Sequence, residues 1–129
     1  MIHQIQIKIP YQKRWGIFSI TVNKPISFCF DNFSLFLFRE RLKIETPEDF
    51  AKWQKENGKN DLLVQAAFSA AESYCLHNRK KFDLDLKKFA VGLSSCKESE
   101  LQKLIDCWKR SQEYGAIEPP GKKKVKVNR

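Results

Sequence analysis

The chain reads as an α+β domain, mainly α, with a small N-terminal antiparallel sheet of about three strands packed on a bundle of about five helices. Two observations predict this. Up to Phe30 the apolar residues alternate one by one, the period of a strand, and from Asp31 onward they recur every three or four residues, the period of a helix. The chain is also 129 residues long and 42% hydrophobic, with ten Phe. That is enough for one buried core and too little for two domains. Residues 1–117 are expected to form the globular unit and residues 118–129 a flexible basic tail.

The strands come first. Ile5, Ile7 and Ile9 alternate with Gln4, Gln6 and Lys8, giving a half-buried strand over His3 to Ile9 that Pro10 ends. Tyr11 to Gly16 reads as a polar loop. Phe18, Ile20 and Val22 form a second strand, Asn23-Lys24-Pro25 a turn, and Ile26, Phe28 and Phe30 a third strand. One face of this sheet is apolar and needs helices to cover it.

The helices are announced by their caps. Asp31 caps a helix to about Ile44 whose apolar set (Phe33, Leu35, Phe36, Leu37, Phe38, Leu42) is wider than one stripe. Thr46-Pro47-Glu48-Asp49 starts the next: Thr caps, Pro takes the first helical position, and the acids face the positive helix end. That helix stops near Gly58. Asp61 opens an Ala-lined helix through Leu62, Ala66, Ala67, Ala70, Ala71 and Tyr74, expected at the centre of the bundle. Asp83 or Asp85 caps a short helix ending near Leu93. Ser95 and Glu98 have capping-box spacing ahead of a last amphipathic helix through Leu101, Leu104, Ile105 and Trp108, with Gly115 as its stop.

Charge and chemistry narrow the function. The net charge is +9, split between a basic start (Lys8, Lys13, Arg14 and Lys24, with no acid before Asp31) and a basic end. That end holds Lys122, Lys123, Lys124, Lys126 and Arg129 against Glu118, while the middle is nearly neutral. Such ends suit phosphate or an acidic protein partner, but the helices lack the Arg, Asn and Gln of a base-reading face. No apolar run approaches the roughly 18 residues of a membrane span, and Met1-Ile2-His3-Gln4 does not begin a signal peptide, so a cytoplasmic protein is expected. Cys29, Cys75, Cys96 and Cys107 contain no CxxC pair, and His77, two residues after Cys75 on a helix, points elsewhere. Reduced thiols are expected, with no metal and no cofactor. His3 and His77 are the only histidines and neither sits in a catalytic motif. The five glycines never cluster into a phosphate loop, so no enzyme is expected.

The order of parts (hairpin Ile20–Phe30, capped helix at Thr46–Phe50, Ala-rich helix Leu62–Ala71, short helix Leu84–Leu93, amphipathic helix to Ser111) resembles the tail assembly chaperones of long-tailed bacteriophages and prophages over residues 17–115. The resemblance implies a non-enzymatic morphogenesis factor in the bacterial host cytoplasm. It would coat and shield the tape measure protein before the tail tube protein polymerises around it. Many copies on one partner imply self-association. The contact candidates are Phe33, Phe36 and Leu37 on the first helix and Leu101, Leu104 and Trp108 on the last, all of which equally suit a core. The family often makes a longer product by ribosomal frameshifting, for which Lys122-Lys123-Lys124 offers an A-rich codon run; a plain basic tail explains the same residues. The alternatives are a nucleic-acid-associated accessory protein using the basic hairpin and tail, or another virion or host interaction module.

Overall fold

The structure, a computed structural model, describes residues 3–113; the expected tail and Gly115 lie outside the described residues. The elements run β1 (His3–Trp15), β2 (Phe18–Phe30), α1 (Asn32–Leu42), α2 (Pro47–His77), α3 (Leu86–Ser94) and α4 (Glu98–Glu113). Among the described residues the sheet has two strands instead of three, and four helices stand where five are expected.

One long hairpin replaces the expected three strands. β1 and β2 pair antiparallel in unbroken register from His3↔Phe30 to Trp15↔Phe18. The turn is the two residues Gly16 and Ile17, of which only Gly16 takes a positive φ, +63°, the pattern of a type II′ hairpin. Pro10 and Pro25 do not interrupt the ladder, and the reason is geometric. Lys8 donates its backbone N–H to Glu100 Oε1 (3.0 Å), and its carbonyl accepts from the Cys96 thiol (3.3 Å). Both groups of Lys8 therefore point away from β2, so the pair Lys8↔Pro25 exchanges no ladder bonds. Two residues on, Pro10↔Asn23 has the same orientation. Each proline lacks an N–H where none is needed.

Alternation along this hairpin builds the core. On one face, Ile7, Ile9, Ile26, Phe28 and Phe30 are buried with Ala67, Ala70, Ala71, Phe89, Leu93 and Leu104 from the helices. The Ala-lined stretch of α2 is central, as its small side chains suggest, with 67–71 and Ser73 buried. Phe28 and Phe68 both pack against Phe89, at ring centroid distances of 6.1 and 5.7 Å. Gly92 lets α3 reach β1: a Cβ there would lie 2.7 Å from Ile9 Cγ2 and from the Pro10 carbonyl oxygen.

α2 joins the two helices expected on either side of Gly58, which interrupts them with φ +87° and ψ 176°. The expected stop near Gly58 is thus a real break, and Asp61 lies in the first turn of the helix that resumes beyond it instead of at its cap. Thr46 caps α2 as expected, in a reciprocal box with Asp49. Asp85, rather than Asp83, caps α3. Ser95 closes α3 instead of opening α4: its N–H bonds back to the Val91 and Gly92 carbonyls.

Asp31 caps α1 and does more. Its Oδ1 accepts from the Ser34 backbone N–H (2.8 Å) and from Ser73 Oγ (3.0 Å). Its Oδ2 meets His77 Nε2 at 2.8 Å and accepts from Cys29 Sγ at 3.5 Å. Burial pushes this carboxyl up, but the hydrogen bonds from Ser34, His77, Ser73 and Cys29 outweigh it and hold Asp31 below its ordinary value of 3.8. Arg41 makes a second stitch between α1 and α2, donating to the Gln65 side chain and carbonyl and to Ser69 Oγ, with its guanidinium 4.9 Å from the centroid of the Phe68 ring.

Two outcomes follow from this packing. Gly92→Ala forces the buried Ile9 side chain and the Pro10 backbone apart and lowers stability by about 1–3 kcal/mol in urea unfolding. Asp31→Ala removes the cap and strands Ser73, costing about 2–3 kcal/mol. Because the folded Asp31 carboxyl is depressed, its contribution is present above the unfolded value and lost as pH falls through the folded one. The wild-type advantage over Asp31→Ala is therefore expected to shrink below about pH 4.

Candidate functional site: a projecting hairpin arm

The apolar face of the hairpin overruns the helices that cover it. At the base its side chains are buried, but beyond Tyr11 and Val22 the same face carries Trp15, Phe18 and Ile20 into solvent. Trp15 is 67% exposed, Phe18 66% and Ile20 45%, and the turn residue Ile17 is 90% exposed. Together these four side chains present on the order of 500 Å² of apolar surface, at the upper end of what monomeric proteins leave open. Thirteen residues of strand reach about 40 Å, so this tip stands far from Phe30 at the other end of β2.

The arm is also cationic. Arg14 pairs with Ser19 and Lys13 with Ile20, one and two rungs behind the tip, and no acid occurs in residues 1–30. Lys24 lies over the Tyr11 ring, with Nζ 5.4 Å from its centroid. The opposite face is polar and internally bonded: Gln12 Nε2 donates to Thr21 Oγ1, Ser19 Oγ donates to Gln12 Oε1, and Gln6 Nε2 donates to Ser27 Oγ. This polar ladder stiffens the arm without using its apolar side.

A groove of about 510 Å³ runs from the arm to α3, between Pro10, Tyr11 and Gln12 on one side and Lys87, Lys88 and Val91 on the other. The Tyr11 hydroxyl is buried and has no hydrogen-bond partner among the described residues. Burial first, then Asp85 and Asp83, push its pKa up. A second, apolar groove of about 110 Å³ lies between α1, α2 and the end of α4, lined by Phe30, Leu35, Phe38, Phe50, Leu62 and Trp108 among others.

The contact candidates drawn from the helices separate. Leu104 is fully buried and belongs to the core. Leu101 and Trp108 are half-buried and pack against that core, and Trp108 also borders the smaller groove. On α1, Phe36 is 53% exposed, with its ring stacked at 6.2 Å on half-buried Phe33; Leu37 is half-buried. Lys122, Lys123, Lys124, Lys126 and Arg129 lie outside the described residues. The arm itself is missed by a reading that makes Tyr11–Gly16 a loop. The available signal is Gly16-Ile17 set between Trp15 and Phe18, the spacing of a two-residue hairpin.

The thiol pKa values are all raised. Burial, then the neighbouring Asp31 charge, push Cys29 up to about 11, and burial also leads the upward shifts of Cys75, Cys96 and Cys107. Among the described residues, no helix is long and apolar enough to cross a membrane.

No protein-family model matches the chain, and neither the curated proteins nor the solved structures hold a match to it.

Since Trp15 and Phe18 are mostly exposed among the described residues, Trp15→Ala and Phe18→Ala are expected to change unfolding free energy by less than about 0.5 kcal/mol in urea titrations. A larger loss would mean that the tip is covered.

Proposed function

We propose that this chain is a non-enzymatic assembly chaperone of the phage tail type, which binds the tape measure protein in the host cytoplasm and keeps it from aggregating until the tube forms. The observation that carries the reading is the arm: an apolar sheet face left exposed among the described residues, bordered by Lys13, Arg14 and Lys24 and with no acid in residues 1–30. A long helical polymer awaiting its tube exposes apolar stripes with charged margins. A rigid ribbon of this kind covers such a stripe, and its cations select acidic margins. The contact surface is thereby assigned to Trp15, Ile17, Phe18 and Ile20, with exposed Phe36 as a secondary site.

Co-expression with a long helical phage tape measure protein is the test. A stable complex is expected, and Trp15→Asp with Phe18→Asp should weaken it at least about tenfold while leaving the urea midpoint unchanged. Failure of the wild-type chain to bind at micromolar concentration, or binding indifferent to both substitutions, counts against the reading.

A second reading draws on the same residues. An exposed Trp beside Lys and Arg on a ribbon is also a stacking platform for single-stranded nucleic acid. Binding of a single-stranded oligonucleotide that falls steeply with added salt, and that Trp15→Ala abolishes, would favour that reading.

A further inference from the structure

We propose that Cys29, Asp31 and His77 form a binding site for one first-row divalent transition ion of the zinc type. The three residues come from three elements: the end of β2, the cap of α1 and the last turn of α2. Asp31 and His77 are 46 positions apart, so ligand spacing along the chain points away from a metal while the fold brings the donors together. Cys29 Sγ, an Asp31 oxygen and His77 Nε2 all lie within 4.8 Å of one another.

The distances suit a tetrahedral ion. With metal–sulfur bonds of about 2.3 Å and metal–oxygen or –nitrogen bonds of about 2.0 Å, tetrahedral angles set sulfur and oxygen roughly 3.5 Å apart, and nitrogen and oxygen roughly 3.3 Å apart. The corresponding separations are 3.5 Å for Cys29 Sγ to Asp31 Oδ2 and 2.8 Å for His77 Nε2 to the same oxygen. The third pair, Cys29 Sγ and His77 Nε2, lies within 4.8 Å and must come to about 3.5 Å, so His77 has to move about half an ångström from Asp31 and swing toward Cys29. The His77 side chain is 47% exposed at a helix end, where such a shift is easy.

The donor chemistry agrees. A thiolate and an imidazole select zinc-type ions over magnesium or calcium, and one thiolate with one carboxylate neutralises a dication. On binding, the Cys29 S–H bond breaks, its proton leaves to solvent and a sulfur–metal bond forms; the hydrogen that His77 Nε2 gives to Asp31 also leaves Nε2, through solvent, so that a nitrogen–metal bond replaces that hydrogen bond, and no electron is transferred. Neutral His77 ligates through Nε2 with its proton on Nδ1, and solvent supplies the fourth position from the exposed side of His77. Around these ligands the support is already built. The Ser34 N–H and Ser73 Oγ fix the other Asp31 oxygen, and the Phe33 ring stands edge-on to His77 at 5.6 Å. The ion would clamp the start of α1 to the end of α2, whatever partner the arm takes.

The test is a titration of the purified, reduced, metal-free full chain with Co²⁺ and then Zn²⁺. One ion per chain is expected, with sulfur-to-cobalt charge-transfer absorption that zinc abolishes and a raised thermal midpoint. Cys29→Ser should remove that absorption, and His77→Gln should weaken binding at least about tenfold. Each variant alters a hydrogen bond to Asp31, so its metal-free midpoint is measured first and only the metal-dependent rise above it is compared with the wild type. No charge-transfer band in the wild type overturns the proposal. So does binding unaffected by either substitution, which would place the sulfur at Cys75, Cys96 or Cys107. Should Cys29→Ser not fold, His77→Gln alone decides.

Discussion

Four hydrogen bonds converge on the Asp31 carboxylate, where the chain changes from strand to helix. A buried carboxylate is costly unless its lone pairs are satisfied, and here each oxygen accepts twice. The contacts fix three things together: where β2 ends, where α1 starts, and which turn of α2 lies beside them. Arg41 repeats the arrangement nearer the other end of α1, reaching Gln65 and Ser69. With α1 pinned to α2 at two points, the Ala-lined stretch of α2 is held against the sheet. Phe28, Phe68 and Phe89 then close the core between them. Polar stitches set the register, and apolar burial supplies most of the free energy.

The features legible in the sequence are those whose chemistry is local. A cap acts within four residues, so Asp31 and the Thr46-Pro47-Glu48-Asp49 start are readable, and both appear as reciprocal boxes. The central position of the Ala-rich stretch follows from side-chain size alone. What escapes depends on direction or distance. Pro10 and Pro25 look like breaks because a one-dimensional reading cannot tell whether a missing N–H faces a neighbouring strand or the outside. Ser95 has the spacing of a cap for α4, yet the turn that closes α3 claims its backbone first. Gly58 marks a real interruption, but the chain resumes its helix beyond it.

The arm and the three-donor cluster were illegible for related reasons. Trp15, Phe18 and Ile20 have the alternation of core residues. Whether such a face is covered depends on how far α3 and α4 extend along β1, and no residue in the hairpin encodes that. Cys29 and Asp31 are neighbours in sequence, but His77 joins them only because α2 runs back along the sheet.

The same two prolines have a further effect on how the molecule meets its own copies. The outer edges of a two-stranded ribbon are templates for more strands, the usual route to fibrous aggregates. Pro10 deletes one outward donor from β1, and Pro25 deletes one from β2, so neither edge offers a continuous row of donors near the base. On β1 the adjacent outward groups, those of Lys8, are occupied by Glu100 and Cys96. Sheet extension is thereby blocked beside the core, and like charges on Lys13 and Arg14 discourage it further out. The ribbon can carry a sticky face for a partner because its edges are poor nuclei for a fibril.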